Sequence, residues 1–151
     1  MLRLVMLDFC DSPYQFFPAR PSVLVMGLCR FCNARWGLPG PNHRVSRVLL
    51  SGEIDAVREI DRRGERILFI PNHSTHSDPQ LMTEVQRQLG VPSCFMAAYD
   101  VFLRSRLNAW VMQRVGAFSV DREGSDRKSM AEALTVLKAG RFALTIFPEG
   151  N

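Results

Sequence analysis

The chain has 151 residues, 46% of them apolar, with charges of both signs and a formal net charge of +4. That length and apolar share suit one domain with a real core and exclude an intrinsically disordered chain. Four cysteines (Cys10, Cys29, Cys32, Cys94) are too few and too scattered for a secreted disulfide framework, and no run approaches the roughly 18 apolar residues of a spanning helix.

The basic excess is N-terminal. Residues 1–50 carry Arg3, Arg20, Arg30, Arg35, Arg44 and Arg47 against Asp8 and Asp11, while the remainder is balanced. Interleaved with Leu, Val, Met, Phe and Trp, these arginines fit either a surface that lies on anionic lipid or a helix that packs on its own domain. Residues 1–21 are broken by Pro13, Pro18 and Pro21, and Asp8 and Asp11 interrupt the apolar core that a cleavable signal needs. Ser22 is placed to cap a helix running to about Trp36, with Leu24, Leu28, Phe31 and Arg35 at helical spacing. Cys29 and Cys32 within it form a CxxC with His43 downstream, but there is no second cysteine pair, and a plain i,i+3 contact fits better than zinc.

Residues 45–51 alternate as a strand does, and residues 53–63 form a charged helix closed by Gly64. Ile67-Leu68-Phe69-Ile70 reads as a buried strand that Pro71 ends, followed by the exposed polar loop Asn72-His73-Ser74-Thr75-His76-Ser77-Asp78. Asp78 precedes Pro79 and the periodic Leu81, Met82, Val85 and Leu89, which is the position of an N-cap with proline at the first helical residue. Its carboxylate can then serve the first helical turn with one oxygen and the His73 imidazole with the other, orienting a general base. The alternative is a cap beside ordinary loop histidines. No Gly-x-Ser-x-Gly elbow supplies a nucleophile, so a catalytic His73–Asp78 pair implies that the attacking hydroxyl belongs to the substrate.

The helix from Pro79 stops at Gly90, a strand follows near residues 93–98, and residues 99–115 form one or two amphipathic helices with Trp110 in the core. Gly116 to Arg122 reads as a short strand ending in an acid and an arginine, and Arg122 suits either a phosphate or a surface ion pair. Residues 125–139 form a helix capped by Ser125 and stopped by Gly140, with Met130, Ala133, Leu134 and Leu137 as its buried stripe. Residues 142–147 are a further apolar strand closed by Pro148 and followed by Glu149-Gly150-Asn151. Strands alternating with helices predict an α/β fold with a mainly parallel central sheet, and His73, Arg122 and Glu149 would share the edge where such sheets bind ligands.

Asn-His-Ser-Thr-His-Ser-Asp resembles the first motif, NHxxxxD, of the glycerolipid acyltransferase family that includes lysophosphatidic acid acyltransferases; GAFSVDR resembles its second block and FPEG its third, in order and at matching spacing over residues 45–151. The resemblance implies transfer of a fatty acyl group from acyl-CoA or acyl carrier protein to the hydroxyl of a lysophospholipid such as 1-acylglycerol-3-phosphate. His73 would be the base, Asp78 its orienting acid, and Arg122, Glu149 and Gly150 the acceptor site, with Arg122 on the phosphate. No metal, cofactor or covalent intermediate is needed, with backbone donors of the loop or helix start available to the oxyanion. The expected partners are the lipid acceptor, the acyl thioester and a membrane surface, not nucleic acid, with the chain peripheral on the cytoplasmic face. Residues 1–44 are then a membrane-proximal basic and apolar helical segment, and residues 45–151 the N-terminal part of the catalytic domain.

Two features depart from the family: Asn151 follows FPEG where a small hydroxyl or another polar residue is usual, and the fourth block with the strands completing the sheet is absent, so the fold is expected to be incomplete at the C-terminus. Two other readings compete. His73, His76 and Asp78 as metallo-hydrolase ligands lack a completing histidine, and a truncated, inactive module binding a membrane surface or lipid is favoured by the missing end and opposed by the retained His73–Asp78 pair. Acyl-chain length, carrier and head group depend on pocket shape, which no short motif reports.

Overall fold

The structure is a computed structural model that describes residues 13–121 and 126–148. A four-stranded sheet is formed by β1 (Leu68–Phe69), β2 (Ser93–Ala98), β3 (Ala117–Val120) and β4 (Ala143–Thr145), in the order β1-β4-β2-β3. All three pairings are parallel, with Leu144 opposite both Leu68 and Cys94, and Met96 opposite Phe118. The expected α/β class therefore holds. Helices α1 (Val23–Cys32), α2 (Ile54–Arg62), α3 (Asp78–Leu89), α4 (Tyr99–Leu103), α5 (Arg106–Arg114) and α6 (Arg127–Ala139) surround it, and α1 runs on through a π-helical turn, Asn33–Gly37.

Parallel strands need crossover helices, which cover both faces and make the strands apolar on both sides. Side chains alternate along β2 accordingly. Cys94 packs with Phe118, Leu144 and Ala133 of α6, with Met96 beside them, whereas Phe95 and Ala97 pack with Phe102 of α4 and Ala109 of α5. Ala143 faces a third cluster built from Leu89, Val91 and the α2 residues Ile54 and Val57. Between the layers, Gln86 of α3 donates to Ser93 Oγ at 2.6 Å, and Ser93 Oγ meets Thr145 Oγ1 at 2.7 Å, so these buried polar groups satisfy one another.

The extended segment ahead of α1 runs beside β3. Ser119 N donates to Phe17 O at 2.9 Å, Phe17 N to Ser119 Oγ at 2.8 Å, and the Phe17 ring stacks on Phe102 at 5.1 Å. At the end of the same segment, Arg20 N and Ser22 N donate to Gln113 O and Arg114 O, tying the start of α1 to the end of α5.

Several expectations are corrected. Residues 45–51 form no strand: they run extended along α3, where Val48 O accepts from the Gln88 side chain, and they have no ladder partner among the described residues. β1 is an edge strand, not a buried one, because only β4 pairs with it; Leu68 and Ile70 are exposed. The buried stripe of α6 is displaced by one step around the helix. Ser129, Ala133, Val136 and Leu137 face the core, while Met130 and Leu134 are exposed. Asp126 caps α6 through its carboxylate, and Ser125 lies outside the described residues. Trp110 is 48% exposed rather than core, and Leu24, Leu28 and Phe31 of α1 face outward while Met26 is buried. Ser22 holds the cap position of α1 without giving it a side-chain bond. Gly90 and Gly140 stop α3 and α6 in left-handed conformations, as expected. No helix among the described residues is long and apolar enough to cross a membrane.

Phe118 is fully buried at the centre of the layer under α6. Phe118→Ala is expected to lower the unfolding free energy by roughly 3–5 kcal/mol, the cost of deleting a buried aromatic side chain, with urea denaturation as the measurement.

Candidate active site

The chain leaves β1 at the sheet edge, and the loop that follows winds back on Asp78. Asp78 Oδ2 accepts from Ser74 N at 2.6 Å, from Thr75 N at 2.7 Å and from His73 Nδ1 at 3.1 Å; Oδ1 accepts from Thr75 Oγ1 at 2.7 Å. Burial opposes the charge, yet the Thr75 amide and hydroxyl, the His73 ring and the Ser74 amide outweigh it and hold the Asp78 carboxyl down at about 2. An ionised carboxylate only accepts, so the hydrogen of this tautomer sits on Nδ1 of His73.

This differs from the expected geometry in two ways. Ser77, not Asp78, stands at the N-cap position of α3, and the carboxylate serves the loop behind it rather than the helical turn ahead. Nor is His73 exposed: its side chain keeps 16% of its accessible surface and that of Asp78 13%, and the Phe147 ring lies 4.8 Å from the imidazole. Phe147 was not singled out from the sequence, although its place in the FPEG block ties the third block to the first. Thr75 was also missed. A threonine three residues before an aspartate, poised to give both its amide and its hydroxyl, was the available signal.

Further contacts fix the start of α3. Ser77 Oγ meets His43 Nδ1 at 2.9 Å, and Asn33 of the π-helical turn donates to Gln80 O at 2.9 Å, so the segment before α2 braces the loop. His76 is exposed and makes none of the contacts to Asp78.

Arg122, Glu149 and Gly150 lie outside the described residues, but the strands leading to them do not. Because the sheet is parallel, the C-terminal ends of β1, β4 and β3 share one edge, with β1 and β4 adjacent and β3 two ladder spacings, roughly 10 Å, beyond β4. A second carboxylate organises the β3 end. Asp126 Oδ2 accepts from the Tyr14 hydroxyl and from Asp121 N at 3.0 Å, while Oδ1 accepts from Lys128 N and Ser129 N, each at 3.0 Å. Burial opposes this charge too, but the Tyr14 hydroxyl and the Ser129 and Asp121 amides outweigh it and keep the Asp126 pKa below the usual carboxylate value.

The model of a protein family described as Acyltransferase matches residues 53–151, a span that begins just before α2. Over 93 residues the chain is 28% identical to a 1-acyl-sn-glycerol-3-phosphate acyltransferase of Streptococcus pneumoniae (strain ATCC BAA-255 / R6), covering 62% of this chain and 34% of that protein. The chain thus spans about a third of the length of the curated relative it matches. No solved structure matches it.

The depressed Asp78 pKa sets a pH dependence. The folded value, about 2, lies below the ordinary 3.8, so the stabilisation is complete above the ordinary value and is lost as pH falls through the folded one. Asp78→Asn removes the charge, so its deficit in urea midpoint relative to wild type is expected to be largest above about pH 4 and to shrink as pH drops toward about 2.

Proposed function

The chain belongs to the glycerolipid acyltransferase family, and from that premise we propose that it moves a fatty acyl group from an acyl thioester, acyl-CoA or acyl carrier protein, to the hydroxyl of a lysophospholipid such as 1-acylglycerol-3-phosphate. The observation that carries this reading is the 3.1 Å pair of His73 Nδ1 with an ionised Asp78.

With Nδ1–H held by the carboxylate, the imidazole presents Nε2 as the base. The acceptor hydroxyl gives its proton to Nε2 as its oxygen bonds to the thioester carbonyl carbon, and Asp78 stabilises the imidazolium that forms. Collapse of the tetrahedral intermediate breaks the C–S bond, and the imidazolium returns the proton to the departing thiolate. Atoms balance without a covalent enzyme intermediate, and the thioester is the only co-substrate required. Four backbone donors of the loop and helix start are already committed: Ser74 and Thr75 amides to Asp78, the Ser77 amide to Thr75 Oγ1 and the Asp78 amide to Thr75 O. The oxyanion therefore falls to donors other than these four. Arg122 takes the acceptor phosphate, with Glu149 and Gly150 completing the acceptor site, and the pinning of both flanks of residues 122–125 by Asp126 supports that assignment.

The acceptor and product are membrane lipids, so the protein works peripherally, on the cytoplasmic face, with the basic and apolar segment of residues 1–44 beside the membrane and residues 45–151 in the catalytic domain. His73→Ala is expected to lower thiol release from acyl-CoA in the presence of lysophosphatidic acid by about 10²–10⁴-fold, the usual weight of a general base, while cooperative unfolding is retained. A folded wild-type chain that releases no thiol would instead favour a non-catalytic lipid-binding module.

A further inference from the structure

Two neighbouring helices turn apolar side chains outward. On α1 and its π-helical continuation these are Leu24, Leu28, Phe31 and Trp36; at the end of α4 and on α5 they are Leu103, Leu107 and Trp110. Leu24 is 86% exposed and Leu107 71%, well beyond the scattered half-buried leucines of an ordinary surface. The helices pack against each other, and the backbone bonds from Arg20 and Ser22 to the last turn of α5 hold them together.

The charges within the two segments that carry these faces have one sign. Residues 13–52 contain Arg20, Arg30, Arg35, Arg44 and Arg47 and no Asp or Glu; residues 101–120 contain Arg104, Arg106 and Arg114 and again no acid. Arg114 lies over the Trp110 ring at 5.6 Å, and Trp110 borders an open groove of about 400 Å³ that is also lined by Phe102, Leu103 and Arg106. Leucine and tryptophan set among arginines, with no acid between them in sequence, match an anionic lipid interface: the apolar groups enter the acyl boundary and the exposed guanidinium groups of Arg20, Arg35, Arg104 and Arg106 stay at the head groups.

We infer that α5, a helix of the catalytic domain, is itself a lipid-contacting element, seating Leu107 and Trp110 in an anionic membrane surface alongside the outward face of α1. This rests on the membrane-surface reading proposed above and extends it beyond residues 1–44, into the span that the family match covers. The charge disfavours a basic partner, since the exposed Arg20, Arg35, Arg104 and Arg106 of these two segments would repel it.

The test uses the full chain carrying Trp36→Phe, which leaves Trp110 as the single tryptophan. Co-sedimentation and emission are followed with vesicles of phosphatidylcholine alone, with vesicles also containing phosphatidylglycerol, and with brominated lipid in the latter. Expected are sedimentation with the anionic vesicles only, release by added salt, and a blue shift of Trp110 emission that brominated lipid quenches. Adding Leu107→Ser, at a position exposed in the free protein, is expected to weaken vesicle binding by roughly tenfold or more, the worth of one buried leucine. Sedimentation with unchanged Trp110 emission would overturn the role of α5 and leave the membrane reading standing on α1. Absence of sedimentation would overturn both. A Trp110 shift that needs no lipid and grows with protein concentration would identify a second copy as the occupant and likewise overturn the inference.

Discussion

The Asp78 carboxylate is the point on which the site depends. Four donors converge on two oxygens, all of them from residues 73–75, so one side chain sets both the course of the loop and the tautomer of His73. The arrangement is self-consistent electrostatically. Donors strong enough to keep the carboxyl ionised despite its burial are the same ones that leave it able to stabilise a positive imidazole. The cost is that these backbone donors are already spent, so in the proposed reaction the groups that orient His73 differ from those that would meet the developing charge on the substrate.

Asp126 repeats this device at the end of β3 and reverses its direction. Both aspartates lie at the start of a helix that follows a parallel strand, but Asp78 faces backward into its loop, whereas Asp126 faces forward onto α6 with one oxygen and back to Asp121 with the other. The Tyr14 hydroxyl on Asp126 carries the extended N-terminal segment into the same arrangement, and burial together with that bond raises the Tyr14 pKa well above its usual value. Segments before residue 53 therefore reach both strand ends: Tyr14 at the end of β3, and His43 and Asn33 at the start of α3. Matching of the family begins only at residue 53, yet the loops within that span are braced from outside it.

The sheet imposes the complementary constraint. With both faces covered, its core is spent on α2, α3, α4, α5 and α6, and α1 is left to pack by a narrow side through Met26 against elements that are already covered. Its remaining apolar surface then faces outward next to that of α5, a distribution costly in water and favourable at a lipid interface.

Local chemistry was enough to determine the parallel α/β class, the succession of helices, the stops at Gly90 and Gly140, and the pairing of His73 with Asp78 five residues on. Each of these rests on spacing within a few turns or on backbone conformation, which a sequence records directly. Tertiary structure decided the rest. The order β1-β4-β2-β3 made β1 an edge and brought Phe147 onto His73 from seventy-four positions away, while residues 45–51 have no ladder partner among the described residues. It also chose which side of each amphipathic helix was covered: Met130, Leu134 and Trp110 have the spacing of core residues and are exposed, while Ser129 is buried. Periodicity reports that a helix has an apolar face; whether another element lies against that face depends on contacts between segments far apart in the chain, which no local pattern contains.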